Sequence, residues 1–281
     1  KFCTLYEDVP FKFRTSPVGE IEEDLKELTE FTPDVTRLFL VGANPFVLST
    51  EKLRQIAYLS KQYLHRLKTI GCFARITDIT PKSVDELKRL RSCGYNGITI
   101  GVETGDDEAL SFMNKGYSSA DILEQCRKLD EAGIEYNFFY LTGIYGRGKS
   151  GQGVDNTLKI FNQLNPKIVG ASMLTVFPSS ELYGEIKSGN WTEESETEKY
   201  EELKALVNGL TVKTHFAALG ASNAVQLHGE IPRDRAELVS VIDEILCRFN
   251  ESELEKYIFS CGFYRNKAAH IISASQDIID K

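Results

Sequence analysis

Residues 98–105 read Ile-Thr-Ile-Gly-Val-Glu-Thr-Gly, a short apolar run that ends in polar residues and glycine. This run has the length of a buried strand, and amphipathic helical patterns flank it at about residues 82–92 and 118–132. The same alternation recurs along the chain. We expect further strands near residues 37–41, 70–74, 136–141 and 168–176, and further helices near residues 17–30, 50–67 and 151–164.

Alternating strands and helices predict a parallel sheet, because parallel strands need long crossovers and are usually buried on both faces. A doubly wound sheet and a βα barrel share this pattern. The barrel is favoured because each predicted strand ends in polar residues or glycine, and barrel loops at that edge converge on one mouth. Taken singly, each of these residues could simply make a turn. The strand-end residues are Gly42, Ala43, Asn44, Arg75, Glu103, Thr104, Thr142 and Thr175.

We therefore predict an α/β fold, a partial (β/α)6 TIM-like barrel that lacks its first strand and carries a C-terminal helical extension. The regular alternation stops after residue 178, and the acidic stretch 193–196 is expected to be the solvated start of a helix that runs to residue 210. An extended edge is expected within residues 211–227, followed by a last helix. The predicted division is a barrel part, an α-rich extension and a helical tail, at residues 1–178, 179–246 and 247–281.

The composition of the 281 residues, 42% hydrophobic and 26% charged, is that of an ordinary soluble protein. Its apolar runs are too short to span a membrane, so we expect a cytoplasmic location and no membrane partner. The net charge of -8 makes nucleic acid an unlikely partner. Six cysteines without any Cys-x-x-Cys pair favour a reducing compartment over a disulfide framework.

The chain opens with Lys1-Phe2-Cys3, a single cysteine after an aromatic residue. Closely spaced cysteine thiolates hold iron–sulfur clusters. Because the sequence starts without Met, we expect that upstream residues are absent and that Cys3 is the last of several cysteines. The alternative is that Cys3 is a small residue without a special role.

Together these residues resemble the radical S-adenosylmethionine superfamily, whose signature is Cys-x-x-x-Cys-x-aromatic-Cys. Phe2-Cys3 matches the end of that signature, and residues 98–105 with Met113-Asn114-Lys115-Gly116 resemble the fourth strand and the loop after it. Residues 40–48, 221–223 and 229–232 resemble a bacterial subgroup labelled as similar to oxygen-independent coproporphyrinogen oxidase. This label is an analogy at the level of the fold and fixes no substrate.

The resemblance implies a 4Fe-4S cluster and S-adenosylmethionine as cofactors. Cleavage of S-adenosylmethionine would yield a 5′-deoxyadenosyl radical that abstracts hydrogen from an unknown small-molecule or macromolecular substrate, with flavodoxin or ferredoxin as the electron donor. Cys3 would be the cluster ligand in this chain, and Phe2 would flank the adenine.

Gly42-Ala43-Asn44 stands where many members have Gly-Gly-Glu. Asn44 would offer a neutral carbonyl oxygen to the methionine ammonium, without the charge-assisted part of that hydrogen bond. Glu103 would accept from ribose hydroxyls or contact the amino group of the cofactor, or else be a helix-capping or solvent-facing carboxylate. Arg75 is expected to meet a substrate carboxylate or to form a surface ion pair. The predicted cofactor-binding set is completed by Thr104, Thr142 and Thr175.

Two alternatives to a radical enzyme stay open. One is a barrel without a cluster that acts as a binding module, motivated by the single cysteine and by Asn44. The other is a DNA-repair-associated fusion, since residues 254–258 and 261–268 resemble the early helical part of the endonuclease III family of DNA glycosylases.

Three physical expectations follow from the cysteine count and the barrel interpretation. With one ligand cysteine where three are needed, this chain alone is expected to be inactive and not to assemble a stable cluster. An exposed sheet edge is expected beside residues 38–41. Six residues are expected to surround one cavity at the carboxyl ends of the strands: Cys3, Asn44, Arg75, Glu103, Thr142 and Thr175.

Overall fold

The computed structural model describes residues 1–4, 14–32, 34–223 and 225–254. Its sheet has seven strands in sequential order; β1 to β6 are parallel, and β7 is antiparallel to β6. This order confirms the barrel-type sheet and leaves β1 at an edge. The strands are Arg37–Leu40 (β1), Thr69–Ala74 (β2), Ile98–Glu103 (β3), Tyr136–Thr142 (β4), Ile168–Met173 (β5), Thr214–Ala218 (β6) and Leu227–Ile231 (β7).

Helices connect the successive parallel strands β1 to β6, and a short 3-10 helix at Pro45–Val47 follows β1. Gly94 and Gly133 end two of the helices at φ 109° and 70°, a backbone conformation that glycine adopts without a Cβ clash. The α-helices are Val18–Phe31 (α1), Thr50–Tyr63 (α2), Ile76–Ile79 (α3), Val84–Cys93 (α4), Asp107–Phe112 (α5), Ser119–Ala132 (α6), Ser150–Phe161 (α7), Glu181–Lys187 (α8), Glu196–Gly209 (α9) and Arg235–Arg248 (α10).

The two faces of the sheet differ in burial. One face packs on the helices and is fully buried, as at Ile98, Ile100 and Val102 of β3. The opposite face, which we call the inner face, is only half-buried, and Phe73 and Phe139 on it are 36% and 40% exposed. The expectation that the strands are buried on both faces is therefore wrong for the inner face, because the described helices cover one side of an open sheet.

The region after β5 contributes two strands as well as helices, and α9 packs against α7 and α10. The acidic stretch before α9 is not solvated, since Glu194 is 3% exposed and Glu196 is 9% exposed. Glu196 is compensated by Lys199, whose ammonium lies 2.7 Å from its carboxylate. The expectation of a solvated helix start is thus wrong, because a buried lysine pairs with the acidic residues.

None of the helices in the described part of the chain is long and apolar enough to cross a membrane. Apart from Leu254, the stretch that resembles endonuclease III lies outside the described residues. The division into three segments and the origin of the tail stay predictions.

Candidate functional site at the carboxyl ends of the strands

The ends of β1 and β2 are joined through one carboxylate. Gly42, at φ 110°, turns the chain after β1 and is followed by Ala43 and Asn44. The Asn44 Nδ2 donates to Asp78 Oδ2 at 2.7 Å. The backbone N–H of Arg75, directly after β2, donates to the same oxygen at 2.7 Å. Asp78 therefore holds two strand ends together.

The ends of β2 and β3 are joined through Lys115. The Arg75 guanidinium donates to the Lys115 carbonyl oxygen at 2.7 Å, and Lys115 Nζ donates to Glu103 Oε1 at 3.1 Å. The side chains of Lys115 and Glu103 are 11% and 14% exposed. We call the connected set Asn44, Asp78, Arg75, Lys115 and Glu103 the strand-end network.

Glu103 has an unusual backbone. Its φ is 64°, and the register of β3 against β4 shifts between Gly101 and Glu103. A β-bulge of this kind re-aims a side chain. A Cβ placed on Gly101 would lie 2.9 Å from Glu103 Oε1, so the carboxylate folds back over a residue that must stay small. A positive φ costs a residue other than glycine roughly 1–2 kcal/mol, and such strain is typical of functional sites.

The first residues of the chain lie at the same edge. The Lys1 main-chain nitrogen donates to the Met113 carbonyl oxygen at 3.0 Å, and the Leu182 N–H donates to the Lys1 carbonyl oxygen at 3.0 Å. The Phe2 ring lies 5.5 Å from Lys115 Nζ. Cys3 follows with an exposed side chain. Cys3 is thus open to solvent and directly follows a residue that contacts the strand-end network.

Other predicted residues have different surroundings. Thr104 is fully buried, and its hydroxyl hydrogen-bonds to Tyr145 Oη and Thr157 Oγ1, each at 2.9 Å. Thr142 is also fully buried, and its hydroxyl has no hydrogen-bond partner among the described residues. Thr175 is half-buried between β5 and α8. The structure therefore connects Phe2, Asn44, Arg75 and Glu103 through Lys115 and Asp78, and places Thr104 and Thr142 in the interior.

Sequence reasoning missed three residues of this edge. Asp78 and Lys115 link the strand ends, and the Tyr117 hydroxyl donates to the carbonyl oxygens of Gly101 and Val102 at 2.9 and 3.0 Å. Burial raises the pKa of Tyr117, so this hydroxyl stays a neutral donor. The sequence carries a signal for Asp78, because an acidic residue three positions after the N-cap residue, here Arg75, is a typical helix-start pattern.

A second polar group lies on the helix side of the sheet, and we call it the α9 cluster: Tyr140, Glu194, Lys199 and Glu202. Glu202 accepts from Tyr140 Oη at 2.5 Å and from the Gly143 N–H at 2.8 Å. Burial raises the pKa of Glu194 to about 7, and burial together with the charge of Glu194 raises the pKa of Glu202. Burial alone would lower the pKa of Lys199. The nearby carboxylates of Glu196 and Glu193 outweigh this effect, so the pKa is raised above the ordinary lysine value.

The residues fit the two implied cofactors differently. Iron–sulfur clusters are held by several cysteine thiolates. The described residues contain no group of three His, Cys, Asp or Glu side chains that could hold a metal ion, and Cys3 is the one cysteine placed at this edge. By themselves they do not fit a cluster. For S-adenosylmethionine the fit is better, because Asn44 and Glu103 supply oxygen acceptors for ammonium or hydroxyl groups.

Comparison with known proteins places this edge in a family. A model of the radical SAM superfamily matches residues 1–159. The chain belongs to the radical SAM superfamily. Its enzymes use an iron–sulfur cluster and S-adenosylmethionine, so membership implies both cofactors.

The curated heme chaperone HemW of Bacillus subtilis (strain 168) is 24% identical over 173 residues, which are 60% of this chain and 45% of that protein. This chain therefore matches less than half the length of that relative.

Solved structures agree in fold. Coproporphyrinogen III oxidase (HemN) from Escherichia coli has a TM-score of 0.55 and 17% identity, with 69% of this chain and 44% of that chain covered. Methylornithine synthase (PylB) has a TM-score of 0.52 and 16% identity, with 90% of this chain and 80% of that chain covered. At these identities the likeness shows the fold alone. Both structures support the TIM-like barrel fold.

Proposed function

We propose that the strand-end network binds S-adenosylmethionine and that Cys3 contributes one thiolate to a 4Fe-4S cluster. The proposed activity is one-electron cleavage of S-adenosylmethionine to methionine and a 5′-deoxyadenosyl radical, which would abstract hydrogen from a substrate. The substrate stays unassigned, and an external one-electron donor is part of the proposal.

The observation that carries the proposal is the contact path from Asn44 to Glu103. It links three consecutive strand ends through hydrogen bonds and one ion pair of 2.7–3.1 Å, beside the exposed Cys3. The carboxylate of Glu103 is held there on strained backbone, which marks it as a residue with a role beyond packing.

Ligand binding is the first test. Isothermal titration of the 281-residue chain with S-adenosylmethionine should give saturable binding, and Glu103→Gln should weaken it several-fold because a charged acceptor becomes neutral. Glu108→Gln is a matched control, since Glu108 pairs with Lys149 on an exposed surface. Absence of saturable binding to the wild-type chain would refute the proposed site.

Cluster assembly is the second test. Anaerobic reconstitution with iron and sulfide should leave no stoichiometric cluster on the 281-residue chain, because one thiolate lies at the edge. A variant with Cys-x-x-x-Cys placed directly before Lys1 should retain the brown thiolate-to-iron absorption and release 5′-deoxyadenosine. The same variant with Cys3→Ser should lose both.

A binding module without radical chemistry is a second candidate, favoured by the single thiolate at this edge. It predicts that the extended variant still binds S-adenosylmethionine and never releases 5′-deoxyadenosine, even with a cluster and a chemical reductant. Release of 5′-deoxyadenosine would exclude it.

A further inference from the structure

Asn44 is an uncharged residue at the place where we propose that an ammonium group binds. Its Nδ2 is already used, since it donates to Asp78 Oδ2 at 2.7 Å. The acceptor that Asn44 has left is its carbonyl Oδ1. An amide is nearly symmetric in shape, so its orientation has to be set by its hydrogen-bond partners.

Asp78 is well placed to set that orientation. Its side chain is 5% exposed and accepts from both Asn44 Nδ2 and the Arg75 N–H. The Arg75 contact is an ordinary helix-start hydrogen bond, which α3 needs regardless of any ligand. The Asn44 contact spans 34 residues of sequence and serves no helix end. Helix capping therefore explains the hydrogen bond of Asp78 with Arg75 but not the one with Asn44.

A buried cation, Lys82, contacts the main chain of Asp78. Lys82, 3% exposed, donates to the carbonyl oxygens of Phe46 and Asp78 at 2.7 and 2.9 Å. Burial lowers the pKa of Lys82 and the charge of Asp78 partly offsets this, so Lys82 and Asp78 interact through charge. The hydrogen bonds of Lys82 go to main-chain oxygens, whereas Asp78 Oδ2 accepts from Asn44 and Arg75. A carboxylate that accepts from an amide also polarises the carbonyl at its far end.

We infer that Asp78 is the positioning residue for a primary ammonium group of the ligand. It fixes the Asn44 amide with Oδ1 free to accept, and it supplies through that amide the negative charge that Asn44 lacks. The inference rests on the proposed function, and its ligand class is an α-amino acid group such as that of S-adenosylmethionine. Without Asp78, the Asn44 amide can rotate so that its NH₂ group faces the ligand ammonium. Two donors then face each other, and the ligand is repelled.

The test compares two ligands by isothermal titration of the 281-residue chain. S-adenosylmethionine carries the α-ammonium group, whereas 5′-methylthioadenosine shares the adenosine and lacks the amino acid part. Asp78→Asn keeps an oxygen acceptor for both hydrogen bonds and removes the charge. We expect it to weaken S-adenosylmethionine binding about tenfold, in line with the loss of charge assistance, and to leave 5′-methylthioadenosine binding unchanged.

Asp121→Asn is the matched control, because Asp121 has the same position in the first turn of α6, accepts from the Ser118 N–H at 2.7 Å, and has no contact with Asn44. It should leave both affinities unchanged. Adding Asn44→Glu to Asp78→Asn places the charge directly at the ligand and should restore most of the lost affinity. If Asp78→Asn does not fold, Asp78→Glu, which retains an acidic capping residue, replaces it and should lose affinity for S-adenosylmethionine alone.

The outcomes are distinct. If the wild-type chain binds neither ligand, the proposed function fails and the role of Asp78 falls with it. If the wild-type chain binds and Asp78→Asn binds S-adenosylmethionine equally well, the role of Asp78 is overturned while the proposed site stands. An equal loss for both ligands would also overturn it, since that pattern indicates general damage to the site.

Discussion

Glu103 and Thr104 are neighbours in the chain but join different polar groups. Glu103 belongs to the strand-end network, and Thr104 connects to the α9 cluster through the Tyr145 hydroxyl, which lies 3.2 Å from Tyr140 Oη. Glu103 faces the edge of the sheet and pairs with Lys115, whereas Thr104 turns into the helix layer and hydrogen-bonds to Tyr145 and Thr157. The strand-end network keeps its carboxylate partly accessible on strained backbone. The α9 cluster buries its carboxylates completely.

This difference in accessibility shows that a polar residue at a strand end does not by itself indicate a binding site. In the α9 cluster, Glu202 uses both oxygens on internal donors, Tyr140 and Gly143, so its polar atoms hold α9 on β4. In the strand-end network, Asn44 and Glu103 each bond through one atom and keep another acceptor. If this division is correct, changes in the α9 cluster alter stability, and changes at the edge alter ligand binding.

The largest expected effect is on Lys199 in the α9 cluster. Lys199→Met leaves Glu193 and Glu196 without their buried cation, and we expect the free energy of unfolding to fall by about 3–5 kcal/mol. Urea denaturation measures the loss. Lys149→Met, which breaks an exposed pair with Glu108, should cost no more than about 1 kcal/mol. Equal losses in the two variants would contradict the structural role of the cluster.

A smaller effect is expected from pH. Because the pKa of Glu194 is raised to about 7 in the fold, the folded chain binds more protons than the unfolded chain between the ordinary glutamate pKa and about pH 7. Stability should therefore fall as pH rises through that window, by on the order of 3 kcal/mol from Glu194, and Glu202 should add to the fall because its pKa is raised as well. Urea midpoints across the window measure this slope. Glu194→Gln should flatten it, and an unchanged slope would show that Glu194 is not its source.

At the edge, Gly101→Ala should affect binding more than stability. Its methyl group would lie 2.9 Å from Glu103 Oε1, so the carboxylate must move, and S-adenosylmethionine affinity should fall several-fold. Gly170→Ala is a matched control on the same sheet row, where the nearest atom is at 3.5 Å, an ordinary contact. Isothermal titration and urea denaturation separate the two properties. A loss of more than about 2 kcal/mol in the free energy of unfolding, without a change in binding, would contradict the assignment of this edge to ligand binding.

The smallest effect concerns Asn114, which shares a positive φ with Glu103 and adjoins Lys115. Asn114→Gly should relieve the strain and raise the free energy of unfolding by a few tenths to about 1 kcal/mol. Gly116→Ala, at φ 78° with no neighbour within 4 Å of the added methyl, should lower it by about 1 kcal/mol through backbone strain alone. Thermal or urea unfolding of both variants checks the opposite signs.

The strands and their order were predictable from sequence, because apolar runs separated by helical patterns leave few topologies. The strands β1 to β5 lie where they were predicted, and the extended edge within residues 211–227 corresponds to β6 and the start of β7. Asn44, Arg75 and Glu103 could be expected to meet, since the ends of parallel strands share one edge. Their roles in cofactor binding stay proposals.

The remaining features of the site depend on contacts between residues that are distant in sequence. A local sequence pattern does not reveal such contacts. Glu194 and Glu196 are buried together with Lys199 of α9. This is unexpected from sequence, because charged residues usually prefer solvent. The path of the chain at Glu103 depends on its φ of 64° and on the register shift after Gly101, neither of which the sequence pattern reveals. The roles of Lys115 and Asp78 depend on contacts across 12 and 34 residues of sequence.

The sequential order of the sheet also affects how the chain opens. Each strand from β1 to β7 pairs with its neighbour in sequence, so β1 and β7 each have one partner strand in the described sheet, whereas β3, β4 and β5 have two. Backbone amides at the edges can therefore exchange with solvent after a local opening that leaves the centre paired. Deuterium uptake should be fastest in β1 and slowest in β4, which gives the molecule a stable centre on which less stable edges can fray.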